Sequence, residues 1–451
     1  MTALRRRSLL RRAFFGSLAL STVSGRAIAG TCLPVSGQRE LPLLPGPLSK
    51  AGMLRPPDSL GVAMPADFTC RLLAVAGDRV ATPAGAEPIS TYRWHTFPDG
   101  GAVFPRPDGG WIYTSNSEVP LLPLGGCGAL GFDHGGKVDS AYSILQGTTQ
   151  NCAGGKTPWD TWLSCEEAKT GLCYECDPFR PGQGVAKPAL GRFAHEAAAV
   201  DAARNTVYLT EDTIDGRFYR WVADSEDKKA ERLGLEKGRL EVLNLVGYAD
   251  DCYPESDVLV RRQLPVNWVP VKFPNEAQGE VRQQLRKRGE TVPGTRFAGG
   301  EGLWSYQLTP EDAALLTSPE AVLPDTLIFW TTKIDNRVWV LDVANQVVEL
   351  IFDNASMDSP LHSVDNLTVS PWGDVLVAED PVSSDIARLV VLQPNGGAST
   401  LLEIHHPGSE ICGPAFSPDG RRLYFSSQRY HKGGATFEVT LPERLLKLAA
   451  L

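Results

Sequence analysis

The chain has 451 residues, 42% hydrophobic and 22% charged, with a formal net charge of -9. That composition excludes a long disordered protein, and the sign of the charge argues against a nucleic-acid partner. The length calls for two cores or one large closed β architecture, and 44 Gly with 34 Pro favour many turns.

The N-terminus reads as a targeting signal. Arg5, Arg6 and Arg7 precede Arg11 and Arg12, which run into Ala13-Phe14-Phe15 and a mildly apolar stretch ending at Val23. Ala27-Ile28-Ala29 fits a small-residue cleavage site, so residues 1–29 form the signal and Gly30 starts the mature chain. The Arg-Arg-x-Phe pattern and the weak hydrophobicity point to the twin-arginine export machinery and to a periplasmic or secreted protein. That route carries folded chains, which lets a metal centre be loaded before export. No apolar run approaches the roughly 20 residues of a membrane span, so the mature protein is expected to be soluble. A monomer is expected.

The nine cysteines are Cys32, Cys70, Cys127, Cys152, Cys165, Cys173, Cys176, Cys252 and Cys412. An odd number in an exported chain leaves at least one thiol unpaired. Cys165, beside Glu166 and Glu167, is the candidate. Cys173-Tyr-Glu-Cys176 has zinc-knuckle spacing, but no second CxxC or HxxxH completes a tetrahedral site. A disulfide is expected there in an oxidising compartment.

Thr31–Pro65 reads as an extended lead-in. From Phe68 onward short strand-like runs recur, among them Phe68–Val75, Gly110–Ser115, Asp160–Cys165, Thr206–Glu211, Arg217–Val222, Thr326–Thr331, Val375–Ala378 and Arg422–Ser426. Pro-Asp-Gly, Pro-Trp-Gly, Pro-Asn-Gly and Asp-Gly turns separate them. Two stretches share one plan of strand, Ser-Pro-x-Gly turn, strand: Leu367 to Val377 and Ala415 to Phe425. Their offset of roughly 50 residues suits one blade of a propeller, and a sandwich would show no such repeat. The expected fold is therefore an all-β propeller of about six blades filling residues 30–451. A partly helical insertion at about 223–294 breaks the rhythm, with short helices expected at Glu226–Glu236 and Glu276–Arg288. It is a solvated surface segment or a lid over the propeller mouth.

Acidic residues end the apolar strands at Glu118, Glu166, Glu196, Glu211 and Asp212, Glu301, Asp365, Glu379 and Asp380, and Glu410. One alone reads as a turn residue. Repeated once per blade they read as ligands converging on a propeller axis, because a buried lone carboxylate is costly without a cation. Cys165 is either a ligand or a small buried hydrophobe. His195 is a ligand or a core hydrogen-bonder. Arg217 and Arg220 stand on one strand and serve either an anionic substrate or structural ion pairs. Carboxylates suit calcium or ferric iron and a thiolate suits a transition metal. No Gly-x-Ser-x-Gly, Walker loop, His-Glu-x-x-His or Rossmann fingerprint is present, which leaves metal-assisted chemistry as the main enzymatic option.

Six strings carry a family resemblance: NCAGGKTPWDTWLSCEE, YECDP, LGRFAHEAAAV, YLTEDTIDGRFYRW, DNLTVSPWGDVLVAED and FSPDGRRLYFSSQ. Together they resemble the PhoX-type alkaline phosphatases from about Asn116 to Gln428. The resemblance implies a propeller, twin-arginine export, and a cofactor of ferric iron and calcium that activates phosphate monoesters. Carried over, Cys165 would be the thiolate ligand to iron and Glu196 a carboxylate ligand. Glu301 would be the glutamate of an Arg-Pro-Glu motif, and Asp365, Glu379 and Asp380 would lie near calcium, with Glu118 a further member. The chain departs from that motif: it reads Gly299-Gly300-Glu301, without the arginine expected to hold phosphate. Arg296 or Arg217 are the cations that would compensate. The function expected is hydrolysis of a small phosphate ester at an Fe3+ and Ca2+ centre. The alternatives are a calcium-dependent lactonase-like hydrolase and a non-catalytic propeller holding structural calcium.

Overall fold

The two Ser-Pro-x-Gly units are β-hairpins in the computed structural model of the chain. It describes residues 42–449 apart from 82–86, 230–231, 255–260, 317–321, 355–358, 360, 382–383 and 432. The export signal and the mature start lie outside the described residues. In one hairpin the Gly373 N–H donates to Ser370 O at 3.0 Å, and in the other the Gly420 N–H donates to Ser417 O at 2.8 Å. Gly373 and Gly420 have φ of 86° and 68°, a left-handed conformation that glycine adopts without penalty. These turns join Val364–Val369 to Val375–Glu379 and Ile411–Phe416 to Arg422–Ser427.

The rest of the chain repeats this antiparallel plan. Pro98–Pro105, Trp111–Ser117, Gly125–Phe132 and Val138–Thr148 form one sheet, and Asn151–Lys156, Trp162–Glu166, Cys173–Cys176 and Val185–Ala186 the next. Then come His195–Asp201, Thr206–Glu211, Phe218–Ala223, Gly238–Leu245 and Leu264–Pro270. They join Gly300–Gln307, Thr326–Thr332, Arg337–Asp342 and Val347–Asp353 in one nine-stranded sheet, because Leu264 and Pro265 pair with Val348 and Val347. Ala387–Leu392 and Ala398–Ile404 complete the sheet begun by Val364–Val369, and Ala435–Thr440 extends the one begun by Ile411–Phe416. The fold is all-β and propeller-like.

Two features close it. Pro98–Pro105, Asn151–Lys156, His195–Asp201, Gly300–Gln307, Val364–Val369 and Ile411–Phe416 pack one beside the next in cyclic order around an axis, and the last returns to the first. At the periphery the strand Thr69–Val75 pairs with Ala435–Thr440, so the first long strand seals the sheet made by the last ones. The lead-in also contributes: Val62–Ala63 pairs with Ala398–Ile404. Closure leaves fewer open edges to aggregate. Apolar side chains fill the gaps between sheets. Leu73, Trp94, Trp111, Phe132 and Tyr424 form one such cluster at the seal.

The segment expected to be an irregular insertion lends two long strands to the sheet. Gly238–Leu245 and Leu264–Pro270 extend the meander begun by His195–Asp201. The helix expected at Glu226–Glu236 is instead a small hairpin, Lys228–Lys229 against Arg232–Leu233. Asp227 explains the outcome. Its carboxylate accepts the backbone N–H groups of Leu235, Glu236 and Lys237 at 2.8–2.9 Å, a local bonding mode that competes with helix. The second expected helix forms at Gln278–Arg288 and ends on Gly289 in the left-handed conformation.

The seal gives a direct test. Leu73→Ala removes a buried side chain (2% exposed) from the closing strand. It is expected to lower stability by about 2–5 kcal/mol in urea titration.

Candidate metal centre

Every strand around the axis carries a β-bulge near its start. Ladder pairing skips from Pro98 to Gly101, Asn151 to Gly154, His195 to Ala198, Gly300 to Leu303, Val364 to Leu367 and Cys412 to Ala415. A bulge re-aims a side chain out of the regular alternation. The first residues beyond the leading pairs are Asp99, Cys152, Glu196, Glu301 and Asp365; Cys412, still paired with Ser426, follows the leading Ile411 on the sixth strand. Those leading residues, Pro98, Asn151, His195, Gly300, Val364 and Ile411, pair with Ser117, Glu166, Glu211, Thr332, Glu379 and Ser427 on the neighbouring strands. One step further along those neighbours stand Glu118, Glu167, Asp212, Lys333, Asp380 and Gln428. Two tiers of equivalent positions thus surround the axis, each filled once per meander.

The tiers converge. Ligand-capable atoms lie within 4.8 Å of one another in five groups: Asp99, Glu118 and Cys152; Cys152, Glu167 and Glu196; Glu196, Glu301 and Asp365; Asp365, Asp380 and Glu410; Asp99, Glu410 and Cys412. Neighbouring groups share a residue and the last returns to Asp99, so the groups form a closed ring. Neither carboxylate oxygen of Glu196 has a hydrogen-bond partner, although the residue is 0% exposed; Glu301 Oε1 has none either. A buried carboxylate in that condition stays charged only beside a cation. Burial, then the charge of Glu167, pushes the Glu196 carboxyl well up. Burial, then Asp365, does the same to Glu301. Burial, then Glu118, takes Asp99 up to about 7. Hard carboxylate oxygens together with the softer Cys152 sulfur suit cations of more than one kind.

Of the residues singled out in the sequence, Glu118, Glu196, Glu301, Asp365, Asp380 and Glu410 meet in this ring. Cys165 lies elsewhere. Its Sγ is 3.4 Å from Cys173 Sγ, which is 3.4 Å from His195 Nδ1. His195 Nε2 donates to Gly191 O at 3.2 Å, so Nδ1 accepts from the thiol. Strand alternation turns Cys165 into the apolar core with Leu163 and Val207. Cys173 and Cys176 carry free thiols. Three residues apart on an extended strand, their Cα atoms stand about 10 Å apart, too far for the disulfide expected within that motif.

Glu379 also points away from the ring. It accepts the backbone N–H of His362 at 2.7 Å and of Arg388 at 2.9 Å. Glu166 does the same for Thr149 and Leu172, and Glu211 for Arg217, at 3.1–3.2 Å. These strand-end glutamates pin loops, and the next residue along faces the axis.

The sequence reading passed over Asp99, Cys152, Cys412, Lys333 and Arg429. A signal was present for the first three: Asp99-Gly100-Gly101, Cys152-Ala153-Gly154 and Cys412-Gly413-Pro414 each set a ligand type before small residues at a strand start. The small residues let the axial strands touch. A Cβ on Gly100 would lie 2.5 Å from Ala153 Cα, and one on Gly302 would lie 2.4 Å from Leu367 N.

Arg217 and Arg296 are committed to a different cluster. Arg217, 1% exposed, donates to Asp251 Oδ1 at 2.6 Å and to the carbonyls of Asp215 and Pro293. Arg296 forms a two-point pair with Asp251 at 2.8–2.9 Å, and Arg286 of the helix Gln278–Arg288 joins them. Arg282 of the same helix pairs with Glu211 at 2.7 Å. The cluster holds the helix on the sheet. Arg220 pairs with Glu241 at 2.7 Å.

A family model described as alkaline phosphatase PhoX matches residues 130–174, 168–313 and 330–430. The chain belongs to this family. Among solved structures, Pseudomonas fluorescens PhoX in complex with vanadate, a transition state analogue, aligns with a TM-score of 0.62 at 16% identity, covering 89% of this chain and 99% of that one. A gluconolactonase from Xanthomonas campestris aligns at 0.40 and 13% identity, over 87% of this chain and 98% of that one. No curated protein matches the chain. Family membership makes the acidic ring the place to look for the metals on which the family depends. At Gly299, where the resemblance led us to expect an arginine, φ is 66°, and a Cβ would meet Ile334 Cγ1 at 3.0 Å and Asp212 Oδ1 at 3.2 Å.

In chelator the folded chain holds protons on Asp99, Glu196 and Glu301 that the unfolded chain releases in the ordinary carboxylate range. With the folded values raised, stability falls as pH rises from about 4 towards about 7. Urea titrations across pH should show this fall, and Glu196→Gln should flatten it. Arg217→Ala is expected to lose roughly 2 kcal/mol of stability, because Arg286 and Arg296 stay on Asp251. Its metal content should be unchanged; a loss of metal would place Arg217 in the centre after all.

Proposed function

We propose that the chain is an exported, metal-dependent phosphatase acting on phosphate monoesters through an iron and calcium centre at the axis of a six-bladed propeller. In this reading the nine-stranded sheet counts as two blades, joined where Leu264 and Pro265 pair with Val348 and Val347. The observation that carries the reading is Glu196: a carboxylate at 0% exposure, unpartnered at both oxygens, inside a closed ring of acids and thiols.

The donor set fits the metals of the family. Cys152 and Glu196 would hold iron, since a thiolate with a charged oxygen suits it. Asp99, Glu118, Glu301 and Asp365 offer oxygens for calcium. When bound, the ions supply Lewis-acid polarisation of phosphoryl oxygens and a reactive oxygen nucleophile. The chain's own contribution is placement. Six bulged strands fix the donors, and the sheets bury every ring residue but the half-buried Glu167. Gly299 offers no side chain to phosphate, so the substrate's charge is met mainly by the centre itself. Export of an already folded chain by the twin-arginine route suits a buried centre, which must be filled before the ring is sealed.

The test combines metal content with hydrolysis of a phosphate monoester, on protein purified after native export. Iron and calcium are expected in a fixed ratio, with activity that chelation removes. Cys152→Ser should lose iron and most activity, whereas Cys165→Ser should keep both. Calcium without iron would sink the phosphatase mechanism and favour a lactonase-like or binding role.

A further inference from the structure

The second tier is acidic at Glu118, Glu167, Asp212 and Asp380 and amide at Gln428; at the remaining position stands Lys333. A cation therefore replaces a carboxylate at one point of a repeated pattern. Its ammonium donates to Asp365 Oδ2 and, at 2.6 Å, to Asp380 Oδ2, and lies 3.8 Å from Glu301 Oε1. Arg429, one residue past the tier, stands 2.8 Å from Glu410 Oε1 and 3.5 Å from Asp380 Oδ1.

This corner differs in kind from the rest of the ring. Asp365, Asp380 and Glu410 form one of the metal-capable groups, yet two protein cations already sit against it. On the other side, Glu196 has no partner at either oxygen. An ammonium is a compact point charge with three donors, and it answers carboxylate oxygens much as a small cation does.

We propose that Lys333 and Arg429 are built-in counter-ions at the Asp365, Asp380 and Glu410 corner, and that metal ions are confined to the arc from Asp99 through Cys152 and Glu196 to Glu301. The assignment rests on the metal-centre reading above and goes beyond it: Asp380 and Glu410 bind protein cations in place of metal, and Asp365 serves both sides.

Elemental analysis of the exported wild-type, Asp380→Asn and Lys333→Met proteins decides it. Asp380→Asn is expected to keep the wild-type number of metal equivalents. Lys333→Met, saturated with calcium, is expected to take up about one further ion. A metal-bearing wild type whose Asp380→Asn variant loses an equivalent overturns the assignment. So does a Lys333→Met protein that folds and gains nothing. Asp380→Asn keeps the side chain's volume, so it decides the matter even where Lys333→Met fails to fold. A wild-type protein free of metal is a separate result, which overturns the centre itself.

Discussion

Like charges buried around one axis are the constraint on which this molecule depends. At 4.8 Å two unit charges repel by about 3.5 kcal/mol at an effective dielectric of 20. Several such pairs surround the axis, and a whole domain is stable by only about 5–15 kcal/mol. The ring therefore cannot exist fully charged and alone. It needs protons, protein cations or metal ions. Asp99, Glu196 and Glu301 take the first course without metal, since burial and their neighbours push their carboxyls up. Asp380 takes the second.

The scaffold that bears this strain is built from one repeated device. A regular strand sends alternate residues to opposite faces and would turn only some of its side chains towards the axis. A bulge breaks the alternation and aims one more residue inward. Repeating it on each axial strand makes a ring from single residues that are far apart in sequence. The closing strand Thr69–Val75 matters for the same reason, since it ties the beginning of the chain to Ala435–Thr440 at its end. Without that tie, repulsion at the axis would act on an open sheet edge.

The Ser-Pro-x-Gly repeat carried the fold because its turn chemistry is local: glycine with positive φ after proline specifies a hairpin whatever surrounds it. Strand-end acids carried part of the centre for a related reason, since an acid closing an apolar run lies near a strand mouth. The remainder depended on register. Glu379 and Asp380 are adjacent in sequence, but pleating sends the first to loop N–H groups and the second to the axis. Cys165 and Cys152 lie in one short string, and the bulge after Asn151 distinguishes the axial cysteine from the core one. Lys333 and Arg429 were invisible as site residues because no local pattern marks a cation opposite carboxylates from other strands. The hairpin at Lys228–Leu233 was read as helix because its charges alternate in sign, whereas Asp227 governs the backbone there.

Gly299 and Lys333 stand on two adjoining turns. The Lys333 N–H donates to Gly299 O at 2.8 Å, so the two turns that carry them are in register. Gly299 sits in the left-handed region, where an L-residue costs about 1–2 kcal/mol, and a Cβ would press on Ile334, the residue after Lys333. An arginine at 299 would thus strain its own backbone and crowd the turn that presents the lysine. In this chain the positive charge beside Glu301 comes from the neighbouring strand pair, directed at the ring's own carboxylates and not outward at a phosphate.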